Sequence, residues 1–184
     1  LYHYGKARDE SRVSELTLLK DFKLEYSPLR RPFIRRVLRH VDGVIADCAS
    51  PVHRFAQKLL RRELPGPELW TAWDHSQAMG LTQLEAHDFH EEIKRSDVAF
   101  DIRFYEGAEE LVHRLKQVFD VVFLTAPWKW YVSWVPARDH LLEPLKCAII
   151  YTHEKHRVLG DFLIDDRAST IEKGGPWRGV LYRR

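Results

Sequence analysis

Polar residues able to exchange protons or to hold phosphate or a metal ion follow four apolar runs of this chain. They are His40, Asp42, Thr125, Lys155, Asp165 and Asp166. Runs such as Val118 to Leu124, rich in β-branched residues, are typical of buried strands. Open α/β sheets place their active sites beyond the carboxyl ends of such strands. These side chains are therefore candidates for one shared site.

The elements that would position them can be predicted from apolar periodicity. Predicted strands are Val37 to Ala46, Val118 to Leu124, Cys147 to Tyr151 and Phe162 to Ile164. Predicted helices between them are Ser50 to Arg62, Glu68 to Trp73, Thr82 to Arg95 and Ala108 to Gln117. Strands that alternate with helices predict an α/β fold with one parallel sheet. His40, Thr125, Lys155 and Asp165 should then share one pocket.

Length and composition limit the class of protein. With 184 residues and 45% apolar content, the chain can form one well-buried domain with a small extension. No apolar run approaches the roughly 20 residues that span a bilayer. Two cysteines, Cys48 and Cys147, are too few for a disulfide framework and favour a reducing compartment. Because Met79 is the only methionine, we expect a chain that is processed or incomplete at its N-terminus.

The basic charge is concentrated before the first predicted strand. Residues 1–39 carry ten Lys or Arg and five Asp or Glu, a net +5, within a total of +2. We predict a basic helical extension over residues 1–36, with an amphipathic helix at Ser11 to Tyr26. Its arginines either form a solvated arm or contact nucleic-acid phosphates or an acidic partner. These candidate contact residues are Arg30, Arg31, Arg35, Arg36 and Arg39.

Several of these segments resemble motifs of one enzyme family. His40-Val-Asp-Gly-Val-Ile-Ala-Asp47 resembles the Asp-x-Asp-Gly-Val-x-Ala-Asp motif of the 5′(3′)-deoxyribonucleotidases, within the haloacid dehalogenase (HAD) superfamily. Thr125-Ala126-Pro127 resembles the second motif, usually Thr-Ser-Pro. Thr152-His-Glu-Lys155 resembles Thr-Arg-Asp-Lys. The strongest similarity is Leu159 to Asp166, which resembles Leu-Gly-Asp-Leu-Leu-Ile-Asp-Asp.

The resemblance implies a HAD-like Rossmannoid fold, with three layers around a parallel sheet and a small helical cap. The HAD-like domain would cover residues 37–184, with the cap inserted at about 49–103. It also implies roles for the site residues. Thr125, Ala126 and Lys155 would bind phosphate, Asp42 and Lys155 would assist catalysis, and Mg²⁺ would be held by Asp42, Asp165 and Asp166. Trp70 and Trp73 would form a base pocket, although a Trp pair at this spacing more often belongs to a packed core.

One substitution affects the catalytic centre itself. His40 stands where the family has the Asp that attacks phosphorus and ligates Mg²⁺. Imidazole supplies nitrogen, a poor ligand for Mg²⁺, so we expect metal binding that is weakened or absent. Imidazole can itself be phosphorylated, which leaves His40 as a conceivable nucleophile. Ala126 also lacks the hydroxyl of the usual Ser.

Three hypotheses follow. The first is a degenerate, non-catalytic domain that serves as a structural or binding subunit of a larger assembly, such as a mitochondrial ribonucleoprotein. The second is an active Mg²⁺-dependent 5′(3′)-deoxyribonucleotidase acting on pyrimidine deoxyribonucleoside monophosphates. The third is a nucleotide sensor that binds without turnover. The aromatic segment from Trp128 to Trp134 would either stack on a base or form a packed surface. The protein would be located in a mitochondrion or in the cytoplasm.

Overall fold

The computed structural model describes residues 35–126, 128 and 131–182. Residues 1–34, with the predicted helix Ser11 to Tyr26 and with Arg30 and Arg31, lie outside the described residues, so the predictions for them stay predictions. None of the described helices is both long and apolar enough to cross a bilayer.

A five-stranded parallel sheet forms the centre of the described domain, in the strand order β5-β4-β1-β6-β7. Its strands are β1 (Arg36–Arg39), β4 (Asp120–Thr125), β5 (Ala148–Tyr151), β6 (Phe162–Asp165) and β7 (Arg178–Leu181). Leu38 of β1 pairs with Val122 on one side and Leu163 on the other. The prediction of one parallel sheet with its carboxyl ends together is confirmed.

The predicted strand Val37 to Ala46 is wrong in its length, because β1 ends at Arg39. After it the chain turns at Gly43, whose φ is +73°, and the Val41 carbonyl accepts from the Ile45 and Ala46 amides, both at 3.0 Å. The chain then enters β2 (Ala46–Asp47), which pairs antiparallel with β3 (Arg103–Phe104). Val41 and Ile45 are 0% exposed. The apolar run therefore predicted burial correctly, but the buried segment is a turn.

Helices cover the sheet and form the cap. The α-helices are α1 (Ala49–Leu60), α2 (His75–Ala78), α3 (Gln83–Arg95), α4 (Ala108–Lys116), α5 (Trp134–Leu142) and α6 (Ala168–Lys173). Single 3₁₀ turns occur at Pro67–Leu69, Val98–Asp101, Glu143–Leu145 and Lys155–Arg157. The predicted helix Glu68 to Trp73 is wrong, since only the first of these turns forms there. By contrast, α3 begins as predicted, with a capping box between Thr82 and Glu85.

Separate apolar clusters correspond to the layers and the cap. One cluster, with Phe123 and Trp134, packs against one face of the sheet. Another, around Leu38 and Leu163, packs on the other face with partly buried Ile171 and Trp177. A further cluster is formed by buried residues between Val52 and Val98 and packs α1 against α3. This is the three-layer parallel α/β fold with a small helical cap that the resemblance implied.

Candidate functional site

The carboxyl ends of β1, β4 and β6 bring the predicted site residues together. The His40 amide donates to the Ile164 carbonyl at 2.9 Å, which extends the pairing of β1 with β6. Thr125 is the last residue of β4 and is 0% exposed. Lys155 begins a 3₁₀ turn beside Asp165, which ends β6. The roles proposed for these residues remain predictions, but their proximity is a property of the sheet.

His40 is held as a neutral imidazole. Its side chain is buried, and Nδ1 lies 3.0 Å from the Leu124 carbonyl oxygen. A carbonyl only accepts, so Nδ1 carries the proton and donates. Burial, followed by the nearby Lys155 charge, lowers the pKa of His40. Nε2 is therefore the ring nitrogen that keeps its lone pair.

Asp42 is bound by a buried arginine. Arg138 of α5 is 0% exposed and its Nη2 donates to Asp42 Oδ1, while the Thr125 hydroxyl lies 3.4 Å from Oδ2. Arg138 also lies 4.5 Å from the ring centroid of Trp134. Sequence reasoning missed Arg138. Its signal was a charge four residues after Trp134, on the buried face of α5 that includes Ala137.

Asp165 is fully buried and satisfied by two donors. Lys155 Nζ donates to its Oδ2 at 2.6 Å, and the Arg167 amide donates to Oδ1 at 2.9 Å. The ion pair is itself buried, since the side chains of Lys155 and Asp165 are 10% and 0% exposed. Each carboxylate oxygen has two lone pairs, so Asp165 retains capacity for two further contacts.

Asp166 packs against the turn after β1. A Cβ on Gly43 would lie 2.0 Å from Asp166 Oδ2, so only glycine permits this approach. Asp166 Oδ1 is buried and has no hydrogen-bond partner among the described residues. Burial, followed by the charge of Asp165, raises the pKa of Asp166 to about 7. Lys155 acts in the opposite direction on Asp166, but its ion pair is with Asp165.

A ring nitrogen of His40 and one oxygen each of Asp165 and Asp166 lie within 4.8 Å of one another. We call these three side chains the His40 cluster. Its two carboxylates suit Mg²⁺, but its nitrogen does not, because Mg²⁺ prefers oxygen ligands in octahedral geometry. The Asp42 carboxylate, a predicted metal ligand, is already paired with Arg138. As a set, these residues do not fit the Mg²⁺ that the resemblance implied.

The site opens into a cavity of about 640 Å³ between the cap and the sheet. Its basic or imidazole side chains are His40, His75, His90, His153, Lys155, His156, Arg167 and Lys173. Asp42 and Asp74 are the lining acids, and Ala126 contributes a methyl group. Lys155, Arg167 and Lys173 supply three cations against these two acids, which makes the cavity suitable for an anionic ligand.

The two cap tryptophans have different environments. Trp70 donates its indole N–H to the Pro65 carbonyl at 2.9 Å and packs against His75, with centroids 5.1 Å apart. Trp73 is 56% exposed at the cavity wall, with the Arg167 guanidinium 5.9 Å from its ring centroid. Trp73 is thus available to a base, whereas Trp70 is largely occupied with structural contacts.

The aromatic segment joins the cap to the sheet layer. Trp128 stacks on Trp134 with centroids 4.7 Å apart and planes inclined by 5°. Its centroid also lies 4.7 Å from that of His75 in α2. Trp134 is 0% exposed, so it packs in the core and cannot stack on a base. Trp128 and Tyr131 line the cavity.

The described arginines of the predicted contact set differ in exposure. Arg35 and Arg36 are exposed, and Arg36 forms an ion pair with Asp120 at 2.7 Å. Arg39 is 2% exposed because it lies in central strand β1. This burial corrects the assignment of Arg39 to a partner surface.

Burial raises the pKa of both free cysteines, Cys48 and Cys147.

Comparison with known proteins agrees with this architecture. A model of the family described as 5′ nucleotidase, deoxy (pyrimidine), cytosolic type C, matches residues 34–182. The chain belongs to this nucleotidase family. The match covers β1 to β7 and so includes all the described site residues. A search of curated proteins found no match.

Solved structures of hydrolases share the fold of this type C nucleotidase-family chain, and two of them are described as haloacid dehalogenase-like or HAD-superfamily proteins. A hydrolase from Streptococcus pneumoniae TIGR4 is 12% identical with a TM-score of 0.54, covering 82% of this chain and 93% of its own. A haloacid dehalogenase-like hydrolase from Streptococcus pneumoniae is 12% identical, with a TM-score of 0.51 and coverages of 76% and 79%. A HAD-superfamily hydrolase from Geobacter sulfurreducens PCA is 13% identical, with a TM-score of 0.51 and coverages of 81% and 89%. These identities support the fold alone.

Proposed function

We propose that this chain is a degenerate, non-catalytic 5′(3′)-deoxyribonucleotidase-like domain that serves as a structural or binding subunit of a larger assembly. The observation that carries the proposal is the state of the two residues at the end of β1. His40 occupies the nucleophile position with Nδ1 committed to the Leu124 carbonyl. Asp42 is held in an ion pair with Arg138, whose side chain is 0% exposed.

Both arrangements oppose phosphoryl transfer. A carboxylate nucleophile is lost, and losses of this kind typically reduce turnover by about 10⁴ to 10⁶. Asp42 would have to deliver a proton to the leaving group, but its Oδ1 accepts from Arg138 and its Oδ2 lies 3.4 Å from the Thr125 hydroxyl. A carboxylate held by these two donors is poorly placed to act as a general acid.

Phosphate binding does not need either of those steps. The Lys155 ammonium and the basic side chains of the cavity remain beside the pocket. Trp73 is exposed where it can stack on a base. A nucleoside monophosphate is therefore a suitable ligand for this domain, as the nucleotide-sensor hypothesis requires.

The discriminating experiment measures phosphate release from dUMP and dTMP with Mg²⁺ present. We expect wild-type protein to give background rates, and Asp42→Asn to give the same background. Turnover of roughly 1 per second or faster would refute the proposal in favour of an active nucleotidase. In that case, an acid-labile phosphohistidine that is absent in His40→Asn would identify His40 as the nucleophile.

Nucleotide binding is tested separately by calorimetry with dUMP on the same protein. Binding that weakens in Lys155→Met and remains in His113→Met would support a sensor. His113 is a suitable control because it is exposed on α4, remote in sequence from the cavity residues. No binding in wild type would leave the purely structural role.

The larger assembly is proposed from charge. Without buried Arg39 and the Arg36–Asp120 ion pair, residues 1–35 carry eight Lys or Arg and five Asp or Glu. This net +3 suits an RNA or an acidic protein such as those of a mitochondrial ribonucleoprotein. We expect RNA binding that weakens steeply with salt and is lost in a chain starting at Arg35. That truncation retains the Arg35 carbonyl, which accepts from the Asp120 amide at 3.0 Å, so β1 keeps its first contact with β4. Unchanged binding by the truncated chain would place the interface elsewhere.

A further inference from the structure

The His40 cluster has a donor set different from that of a Mg²⁺ site. It combines one imidazole nitrogen with two carboxylates, and their ligating atoms lie within 4.8 Å of one another. Such a mixture of nitrogen and oxygen is typical of sites for borderline transition-metal ions. Its three members come from the ends of two adjacent strands, β1 and β6, so the backbone holds them close together.

One unpartnered buried atom supports a missing ligand at this position. Asp166 Oδ1 is buried and has no hydrogen-bond partner among the described residues. A buried polar atom without a partner is costly, and an unplaced ion or water is a usual explanation. Because His40 Nδ1 donates to the Leu124 carbonyl, Nε2 is the ring nitrogen left for a metal in the same cluster.

The charges around the His40 cluster disfavour Mg²⁺ more than a metal ion that binds imidazole. Arg138 pairs with Asp42 and Lys155 pairs with Asp165, so Asp166 is the one of these three carboxylates without an ion pair among the described residues. The two cations reduce the attraction of the site for a dication. Mg²⁺ depends on charge and oxygen ligands and is reluctant to lose its water. A metal ion that binds imidazole well loses less affinity for a site in which an imidazole replaces a carboxylate.

We propose that the His40 cluster binds a borderline transition-metal dication, Zn²⁺ in particular, in preference to Mg²⁺. His40 Nε2 and one oxygen each of Asp165 and Asp166 are the three protein ligands, and the cavity side provides an open fourth position. Ligands about 2.1 Å from one Zn²⁺ lie roughly 3.4 Å apart in a tetrahedron. The ligand atoms, which lie within 4.8 Å of one another, therefore have to approach by up to about 1.4 Å. The Nδ1 donation to Leu124 fixes the tautomer and so orients the metal-binding nitrogen.

This inference does not depend on the proposed function, because it concerns metal affinity without any nucleotide. The experiment titrates purified full-length protein with Zn²⁺ and, separately, with Mg²⁺, in calorimetry at equal ionic strength. We expect one Zn²⁺ site in wild type and an affinity for Zn²⁺ that falls about tenfold or more in His40→Ala. His40→Asp should reverse the selectivity, weakening Zn²⁺ relative to Mg²⁺. Equal Zn²⁺ affinity in wild type and His40→Ala would overturn the proposal.

The chain has ten histidines, and those other than His40 could also bind Zn²⁺, so the experiment needs a control variant. His113→Ala, exposed on α4, should leave the Zn²⁺ affinity unchanged. X-ray absorption of wild type loaded with one equivalent of Zn²⁺ should show one imidazole together with oxygen ligands. This measurement needs no variant and decides the matter if the His40 variants do not fold. Several imidazoles around the zinc, or Zn²⁺ loss in His113→Ala as large as in His40→Ala, would refute the assigned ligands.

Discussion

Replacing Arg138 by methionine should destabilise the domain severely. The Arg138 side chain is 0% exposed and its partner Asp42 is 15% exposed, so the substitution leaves a carboxylate in a poorly hydrated site. Breaking a buried ion pair from one side costs about 3 to 5 kcal/mol. Methionine retains much of the packing against Trp134, whose ring centroid lies 4.5 Å from the guanidinium carbon, so the loss is mainly electrostatic. We therefore expect the free energy of unfolding to fall by about 3 kcal/mol or more.

Urea denaturation, with wild type and variants compared at one pH, gives the free energies for a double-mutant cycle. Asp42→Asn alone leaves the Arg138 charge buried and should also destabilise. The double variant Asp42→Asn with Arg138→Met should lose less than the sum of the single losses, since no uncompensated charge remains. Arg114→Met is the matched control, because Arg114 and Glu110 are 61% and 74% exposed and 3.7 Å apart.

The control should cost less than about 1 kcal/mol, as exposed pairs usually do. An Arg138→Met loss of the same small size would refute the idea that this pair is the main electrostatic contact of Asp42. Strict additivity in the cycle would refute a direct interaction between the two side chains. Either result would also remove one support for a non-catalytic Asp42.

Other consequences of the structure can be measured on the same protein. Burial lowers the pKa of His75 from 6.5 to about 4, so between these pH values only the unfolded state binds the proton. The free energy of unfolding should therefore fall by up to about 3 kcal/mol as the pH falls through this range. In urea melts taken from pH 7 to 4, His75→Phe should reduce this pH dependence of stability. Gly43→Ala should cost about 1 to 3 kcal/mol, because φ is +73° and the new Cβ would lie 2.0 Å from Asp166 Oδ2; an unchanged thermal midpoint would contradict that packing. Trp73→Ala should weaken dUMP binding about tenfold through lost stacking without altering stability, since Trp73 is 56% exposed; calorimetry with Leu69→Ala, 66% exposed, is the control.

The sheet could be predicted because its strands are apolar runs that end in polar residues. Val121 to Leu124 are all nearly fully buried in β4, and the polar Thr125 marks the end of the strand. The segment after β1 could not be predicted in the same way. Val41, Val44 and Ile45 are as buried as strand residues, but their conformation is set by the Gly43 turn and by pairing with distant β3.

The electrostatics of the site depend on contacts that are distant in sequence. Arg138 meets Asp42 across 96 positions, which no local pattern indicates. Arg39 was counted with the basic extension because it follows other arginines, whereas its place in the central strand buries it. Sequence patterns locate the polar residues of a site, but the partners that compensate their charges become visible only in the folded chain.

His40 and the Arg138–Asp42 ion pair together explain why we propose that this site favours anions and metal ions that bind imidazole over Mg²⁺. An imidazole at position 40 removes a negative charge that a carboxylate would supply, and Arg138 neutralises the charge of Asp42. Both changes weaken the attraction for a hard dication and reduce the repulsion of an incoming phosphate. Lys155 and the basic cavity wall act in the same direction. These features support our proposal that the pocket binds a phosphate ligand without cleaving it.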